Sequence, residues 1–199
     1  MSPTTCNTAT GVILAGGKSS RMMSNKALLR LQGKTFIEHI ADMLRRVVPE
    51  VIIIADQREE FEFLTLPIYP DIYKNCGPTA GLHSSFMNTD APAILAVTCD
   101  MPLLEASSLS VLLNSPPDYD AALFSTDGFI QPFPGFYHRS CLSRLETNLR
   151  EKKYSVIGLV RTLNVIAHPI LLSPDPLTLN PFTHINDPSD YRKLNEEYL

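Results

Sequence analysis

Apolar runs of five or so residues alternate with stretches of helical spacing from one end of the chain to the other. Thr10-Gly11-Val12-Ile13-Leu14, Val51-Ile52-Ile53-Ile54-Ala55 and Ala93-Ile94-Leu95-Ala96-Val97 are short, continuous and rich in branched residues, the pattern of strands covered on both faces. Between them, Thr35–Val48 carries apolar residues at Phe36, Ile37, Ile40, Met43, Leu44, Val47 and Val48, a helical stripe closed by Pro49. Gly77-Pro78 opens a second helix running to about Asn88, with Pro78 suited to its first turn. Glu105–Asn114 predicts a helix, Ala121–Ser125 a strand, and Leu66–Pro70 a weaker strand. Alternation of this kind predicts an open, mostly parallel sheet with helices on both faces.

The later third is less regular. Phe129–His138 alternates polar and apolar residues around Pro132 and Pro134, which suits an edge or antiparallel strand. Ser140–Lys152 predicts an amphipathic helix, Ser155–Thr162 a short helix or turn, Asn164–Ala167 a strand, and Asp175–Pro181 a proline-rich loop. Asp187 followed by Pro188 is a helix start, with Asp187 as cap. No composition shift marks a linker. The expectation is therefore one domain over residues 1–199, residues 1–9 forming a flexible start.

Composition narrows the class of function. Of 199 residues, 44% are hydrophobic and 19% charged, enough for a substantial core in a water-soluble protein. No apolar run is long enough for a membrane span, and the amino terminus has no signal-peptide pattern. Cys6, Cys76, Cys99 and Cys141 are far apart, with no C-x-x-C pair and no nearby histidine cluster, against a zinc site or a disulfide framework. A cytoplasmic protein is expected. The net charge of −4 argues against nucleic acid as a partner. Its distribution matters more, because Lys18, Arg21, Lys26, Arg30 and Lys34 all precede Glu38, the first acidic residue. A small polyanion would be steered to that region, although Arg30 and Lys34 suit a solvated face equally.

The cations cluster around Leu14-Ala-Gly-Gly-Lys-Ser-Ser-Arg-Met-Met-Ser-Asn-Lys26. A strand running into Gly16 and Gly17 brings backbone N–H groups close to an anion, and Lys18, Arg21 and Lys26 add full charges. The spacing matches neither the dinucleotide nor the Walker fingerprint. A basic surface loop is the competing reading. Asp100 ends the run Ala-Val-Thr-Cys-Asp, where a carboxylate is costly unless paired or bound to a cation. Its hard oxygens suit Mg²⁺, which takes one or two protein carboxylates together with ligand phosphates. In parallel sheets ligands sit at the carboxyl ends of strands, so the loop and Asp100 can share one crevice. Asp71, where another strand runs out, is read equally well as a turn residue. Gly77–Gly81 offers either helix N–H groups for an anion or packing glycines. His39, His83, His138 and His168 have no partner at catalytic spacing, and Ser19-Ser20 belongs to no legible Ser-His-Asp arrangement.

Five segments, in order, resemble one family. Leu14-Ala-Gly-Gly-Lys-Ser-Ser-Arg-Met with Lys26-Ala-Leu-Leu is similar to the signature of nucleotidyltransferases. Gly77-Pro-Thr-Ala-Gly-Leu, Cys99-Asp-Met-Pro, Gln131-Pro-Phe-Pro-Gly-Phe-Tyr and His184-Ile-Asn-Asp-Pro-Ser-Asp resemble motifs of its molybdenum cofactor guanylyltransferase branch. The likeness spans residues 11–198, with departures at Met23, Asn25 and Asp56. It implies a three-layer, Rossmann-like fold of the nucleotide-diphospho-sugar transferase type. It also implies transfer of GMP from Mg·GTP to the phosphate of molybdopterin or its molybdenum-loaded form, giving the guanine dinucleotide cofactor and pyrophosphate. Carried over by position, Leu14, Ala15 and Gly16 hold the nucleotide through their backbone, and Lys26 neutralises the triphosphate. Asp71 contacts guanosine, and Asp100 binds both GTP and Mg²⁺. Arg21 joins them as a phosphate contact because it lies on the same loop. The implied partners are GTP and molybdopterin, with transient contact to molybdoenzyme apoproteins or cofactor-delivery proteins. The pterin side is expected around Gln131–Tyr137 and the Asn186 loop. A CTP-using or sugar-phosphate-accepting relative, and a catalytically silent nucleotide-binding delivery partner, are the alternatives.

Overall fold

Residues 9–16, 25–170 and 180–198 are described by the structure, a computed structural model, the side chains of residues 197 and 198 excepted. Strand β1 (Ala9–Leu14) is buried at all six positions. After a single 3-10 turn at Lys26–Leu28, a small hairpin follows, β2 (Arg30–Leu31) and β3 (Lys34–Thr35). Helix α1 (Phe36–Leu44) starts on a reciprocal cap, in which Thr35 accepts from the Glu38 N–H while Glu38 accepts from the Thr35 N–H. The helical stripe was expected to reach Val48, but Arg46 and Val47 instead bond three residues back, to Met43 and Leu44. Pro49 disfavours helical backbone at Val48 and so keeps the helix from resuming there.

Then come β4 (Glu50–Ile54), β5 (Ile68–Tyr69), α2 (Pro78–Met87), β6 (Ala93–Thr98) and α3 (Ala106–Leu113). β7 (Ala121–Thr126) and β8 (Phe129–His138) form a long hairpin, followed by α4 (Leu142–Arg150), α5 (Val156–Val160), β9 (Val165–Pro169) and α6 (Pro188–Tyr198). Asp187 caps α6 by accepting from the N–H groups of Ser189 and Asp190. Ala9 already pairs with Ala93, one residue before the expected strand start, and residues 1–8 lie outside the described residues. So do residues 175–179 of the expected proline-rich loop.

Seven strands make one sheet in the order β5-β4-β1-β6-β8-β7-β9, and only β8 runs against the rest. Alternate residues feed two cores. Ile13, Ile53 and Leu95 pack with Ile40 and Leu44 of α1 and Leu109 of α3. Val12, Ile52 and Ile94 pack with Phe86 of α2, Leu145 of α4 and Leu159 of α5. This is the three-layer, mostly parallel arrangement that the sequence predicts. β8 is antiparallel as its prolines suggested, yet it lies inside the sheet between β6 and β7. Its pairing with β7 jumps from Leu123↔Gly135 to Phe124↔Gln131, so Pro132 and Pro134 fall in an unpaired excursion where no N–H is required. Gly135 is obligatory beneath that excursion, because a Cβ there would lie 2.6 Å from the Pro132 carbonyl.

Candidate active site

Parallel pairing delivers the carboxyl ends of β5, β4, β1 and β6 to one edge of the sheet, and the chemistry-bearing residues follow those ends. After β1 the chain keeps alongside β4, with the Ala15 N–H donating to the Ile54 carbonyl at 3.0 Å. Leu14 is supported from below by α2, where a Cβ on Gly81 would come within 2.9 Å of its side chain. Gly81 is thus a packing glycine. Gly77, at φ 65°, occupies the left-handed region in the turn that launches α2. Of the signature loop, residues 17–24 lie outside the described residues, and with them Lys18, Arg21 and Met23.

Gly16 is exposed, and Asp71 stands beside it. A Cβ on Gly16 would be 3.5 Å from Asp71 Oδ2. The Asp71 backbone is tied down by Asp56, whose Oδ1 accepts from the Asp71 N–H at 3.2 Å and from Lys74 Nζ at 2.6 Å. Asp71 Oδ1 is buried and has no hydrogen-bond partner among the described residues. Burial, reinforced by the Asp56 charge and opposed by Lys74 and Ser84, pushes this carboxyl up from 3.8 to about 6. An enclosed acceptor of this kind is short of a donor.

Asp100 lies two residues beyond β6 and is largely enclosed. Thr98 donates to Oδ1 at 2.6 Å, and His184 Nδ1 is 3.3 Å from Oδ2. Burial alone would raise its pKa, but the bonds from His184 and Thr98 outweigh it and hold the carboxyl below its ordinary range. Asp100 is therefore ionised at neutral pH. The neighbouring Cys99 thiol is pushed up to about 12 by burial and is inert. Lys26 sits on the 3-10 turn, which Asn25 caps by accepting from the Ala27 N–H at 3.1 Å while donating to Glu60. Lys26 Nζ donates to Asn186 Oδ1 at 3.2 Å, and its charge is felt at Cys99.

One carboxy-terminal segment joins these parts. His184 meets the Asp100 side chain, the Ile185 N–H donates to the Asp100 carbonyl at 2.8 Å, and Asn186 meets Lys26. Asn186, expected on the pterin side, accepts a hydrogen bond from Lys26. Leu14, Ala15, Gly16, Asp71, Asp100 and Lys26 all gather at one sheet edge. His184 and Thr98 were not singled out from the sequence. Only the position of His184 in the last quoted motif hinted at it. Arg30 and Lys34 turn away to local partners, the Gly33 carbonyl at 2.7 Å and Asp42 at 2.6 Å.

This arrangement coincides with a family model described as a MobA-like NTP transferase domain, which matches residues 11–164. A probable molybdenum cofactor guanylyltransferase of Carboxydothermus hydrogenoformans is 35% identical over 190 residues, 93% of this chain and 94% of that protein. The chain belongs to the molybdenum cofactor guanylyltransferase family. As a member of that family it is an enzyme, a nucleotidyltransferase. Its fold is also that of a molybdopterin-guanine dinucleotide biosynthesis protein A from Archaeoglobus fulgidus, with a TM-score of 0.78 at 22% identity, covering 94% of this chain and 97% of the other. A Mycobacterium tuberculosis protein solved in complex with manganese shares it too, with a TM-score of 0.63 at 17% identity over 94% and 98% of the two chains. The described residues of this family member include no helix long and apolar enough to cross a membrane.

Proposed function

We propose that the enzyme transfers GMP from Mg·GTP to the phosphate of molybdopterin, or of its molybdenum-loaded form, releasing pyrophosphate and the guanine dinucleotide cofactor. The observation that carries this reading is the pair of carboxylates flanking the signature loop. Asp71, past β5, keeps a buried acceptor without a hydrogen-bond partner among the described residues, while Asp100, past β6, is held ionised. Three strand spacings, about 14 Å, separate those two strands, and the end of β1 lies between them. Asp71 accepts from donors of the guanosine part, Leu14, Ala15 and Gly16 line the nucleotide with backbone, and Asp100 and Lys26 meet the triphosphate end.

The donor set fits a hard divalent cation. Asp100 is an ionised carboxylate whose two oxygens each carry one protein partner, Thr98 and His184, leaving lone pairs for further ligation. When bound there with GTP, such an ion supplies Lewis-acid neutralisation of phosphate charge. The protein's own share is positioning. An oxygen of the acceptor phosphate bonds to the α-phosphorus as the bond from that phosphorus to the α–β bridging oxygen breaks, and pyrophosphate leaves with the electron pair. Lys26 neutralises charge on the triphosphate through this step, and Arg21 is assigned the same role from its place on the loop. No strong base is needed, since the second pKa of a phosphate monoester is about 6. Alignment of two polyanions and charge stabilisation supply the rate.

Nucleotide choice is tested by thermal shift with GTP, CTP, ATP and UTP in Mg²⁺. A nucleotide at 100 times its Kd stabilises by about 2.7 kcal/mol, so GTP is expected to give the largest shift. A larger shift with CTP would transfer the assignment to a cytidylyl relative.

A further inference from the structure

His184 reaches Asp100 across 84 positions of chain. A carboxylate has no proton to give, so Nδ1 of the ring carries the hydrogen and donates to Oδ2. The backbone that carries the ring is anchored beside Asp100. Ile185, next to it, is fully buried with Leu31, Phe36 and Leu194, and its N–H is spent on the Asp100 carbonyl. Tyr191 of α6 packs edge-on against Phe36 at 5.9 Å and donates to the Arg30 carbonyl at 2.8 Å. Docking of α6 on α1 and the β2–β3 hairpin therefore sets where the His184 imidazole stands. With Thr98 on Oδ1, the ring on Oδ2 fixes the rotation of the Asp100 carboxylate about its last bond, and so which lone pairs stay open for further ligation. A cation that takes only one or two protein carboxylates depends strongly on that rotation, and groups bonded to a metal carboxylate commonly tune affinity 10–100-fold, in round terms about one to two decades.

We propose that His184 is a positioning residue for nucleotidyl transfer, its Nδ1–H holding the Asp100 carboxylate in the orientation that receives the metal of the metal–GTP substrate. This rests on the reading of Asp100 as the metal carboxylate given above. His184 itself touches no reacting atom in this role. What the position requires is one donor at the place of Nδ1, not an imidazole.

The test uses the full chain with Mn²⁺ as the probe, its binding in the presence of GTP followed by electron paramagnetic resonance, alongside kcat and KM for GTP. His184→Ala is expected to weaken Mn²⁺ binding by about tenfold or more, to raise KM for metal–GTP in step with it, and to lower kcat. His184→Asn, whose amide N–H stands close to the place of Nδ1, restores most of the loss. His184→Gln, which carries its amide further out, does not. Melting curves of the Asn and Gln variants keep the comparison between folded proteins. Wild-type Mn²⁺ binding by His184→Ala, or equal rescue by Asn and Gln, overturns the inference. Asp100→Asn separates it from its premise. If that variant also binds Mn²⁺ with GTP like wild type, both the metal reading and the inference fall. If it loses Mn²⁺ while His184→Ala retains it, only the inference falls.

Discussion

Leu14 and Thr98 are direct register partners at the carboxyl ends of two parallel strands, β1 and β6. That single pairing puts the start of the signature segment, Leu14–Gly16, at the same sheet edge as Asp100, although Leu14 and Thr98 are 84 positions apart. The same edge is extended by Ile54↔Tyr69, which brings Asp71 in from β5. The candidate site is thus a property of strand order.

Gly16 offers a clean separation of fold from ligand. Its φ is not in the left-handed region, and an added Cβ would meet Asp71 Oδ2 at 3.5 Å, an ordinary contact. Gly16→Ala is therefore expected to melt within a degree or so of wild type. GTP affinity should fall about tenfold or more, some 1.4 kcal/mol, because the methyl takes the space in front of the Asp71 carboxylate. Calorimetric titration with GTP checks it; unchanged affinity would remove that face of the loop from the nucleotide site.

Asp71 predicts a pH dependence of stability. Its pKa in the folded protein, about 6, lies above the ordinary 3.8. A raised acid contributes fully at pH values below about 4, and its contribution is lost as pH rises through 6. Asp71→Asn should match wild type in stability near pH 4 and exceed it at pH 8. The gain should be about 1 kcal/mol, well under the full linkage value because solvent screens a half-enclosed carboxyl. Denaturant melts at the two pH values measure the difference, and a gap independent of pH would contradict the assignment. The same variant should bind GTP more weakly, having lost the ionised acceptor.

Lys26 has one described side-chain hydrogen bond, the exposed one to Asn186. Lys26→Met keeps the aliphatic stem and removes the charge. The expected result is an unaltered melting temperature with GTP affinity lowered about tenfold, and a smaller loss for GMP, which lacks the β- and γ-phosphates. Equal losses for the two nucleotides would place Lys26 away from the triphosphate.

Much of this was legible in the chain because the central strands are short, apolar and uninterrupted. Val12-Ile13-Leu14, Ile52-Ile53-Ile54 and Ile94-Leu95-Ala96 alternate between two cores, so each reads as a buried strand without further context. The β2–β3 hairpin was not foreseen, since strands of two residues leave no periodicity to read; Gln32 and Gly33, both at positive φ, were its one local sign. β8 looked like an edge from its prolines because sequence does not reveal that they fall in an unpaired excursion. The gathering of Leu14–Gly16 and Asp100 at one sheet edge followed from strand-end logic. His184 did not, because its contact with Asp100 depends on where α6 docks, a long-range packing event centred on Ile185 and Leu194. Asn25, a departure from the family pattern, proves to have a local task as the cap of the turn that carries Lys26.

The central claim is that this site joins GMP to a pterin phosphate. It is tested most directly by incubating the purified protein with Mg·GTP and molybdopterin and following dinucleotide and pyrophosphate together. The wild type should form both in equal amounts, and Asp100→Asn, correctly folded by its melting curve, should form neither above about a thousandth of that rate, in line with losing a main source of transition-state charge stabilisation. Product formed from CTP in preference to GTP, or undiminished turnover by Asp100→Asn, would contradict it.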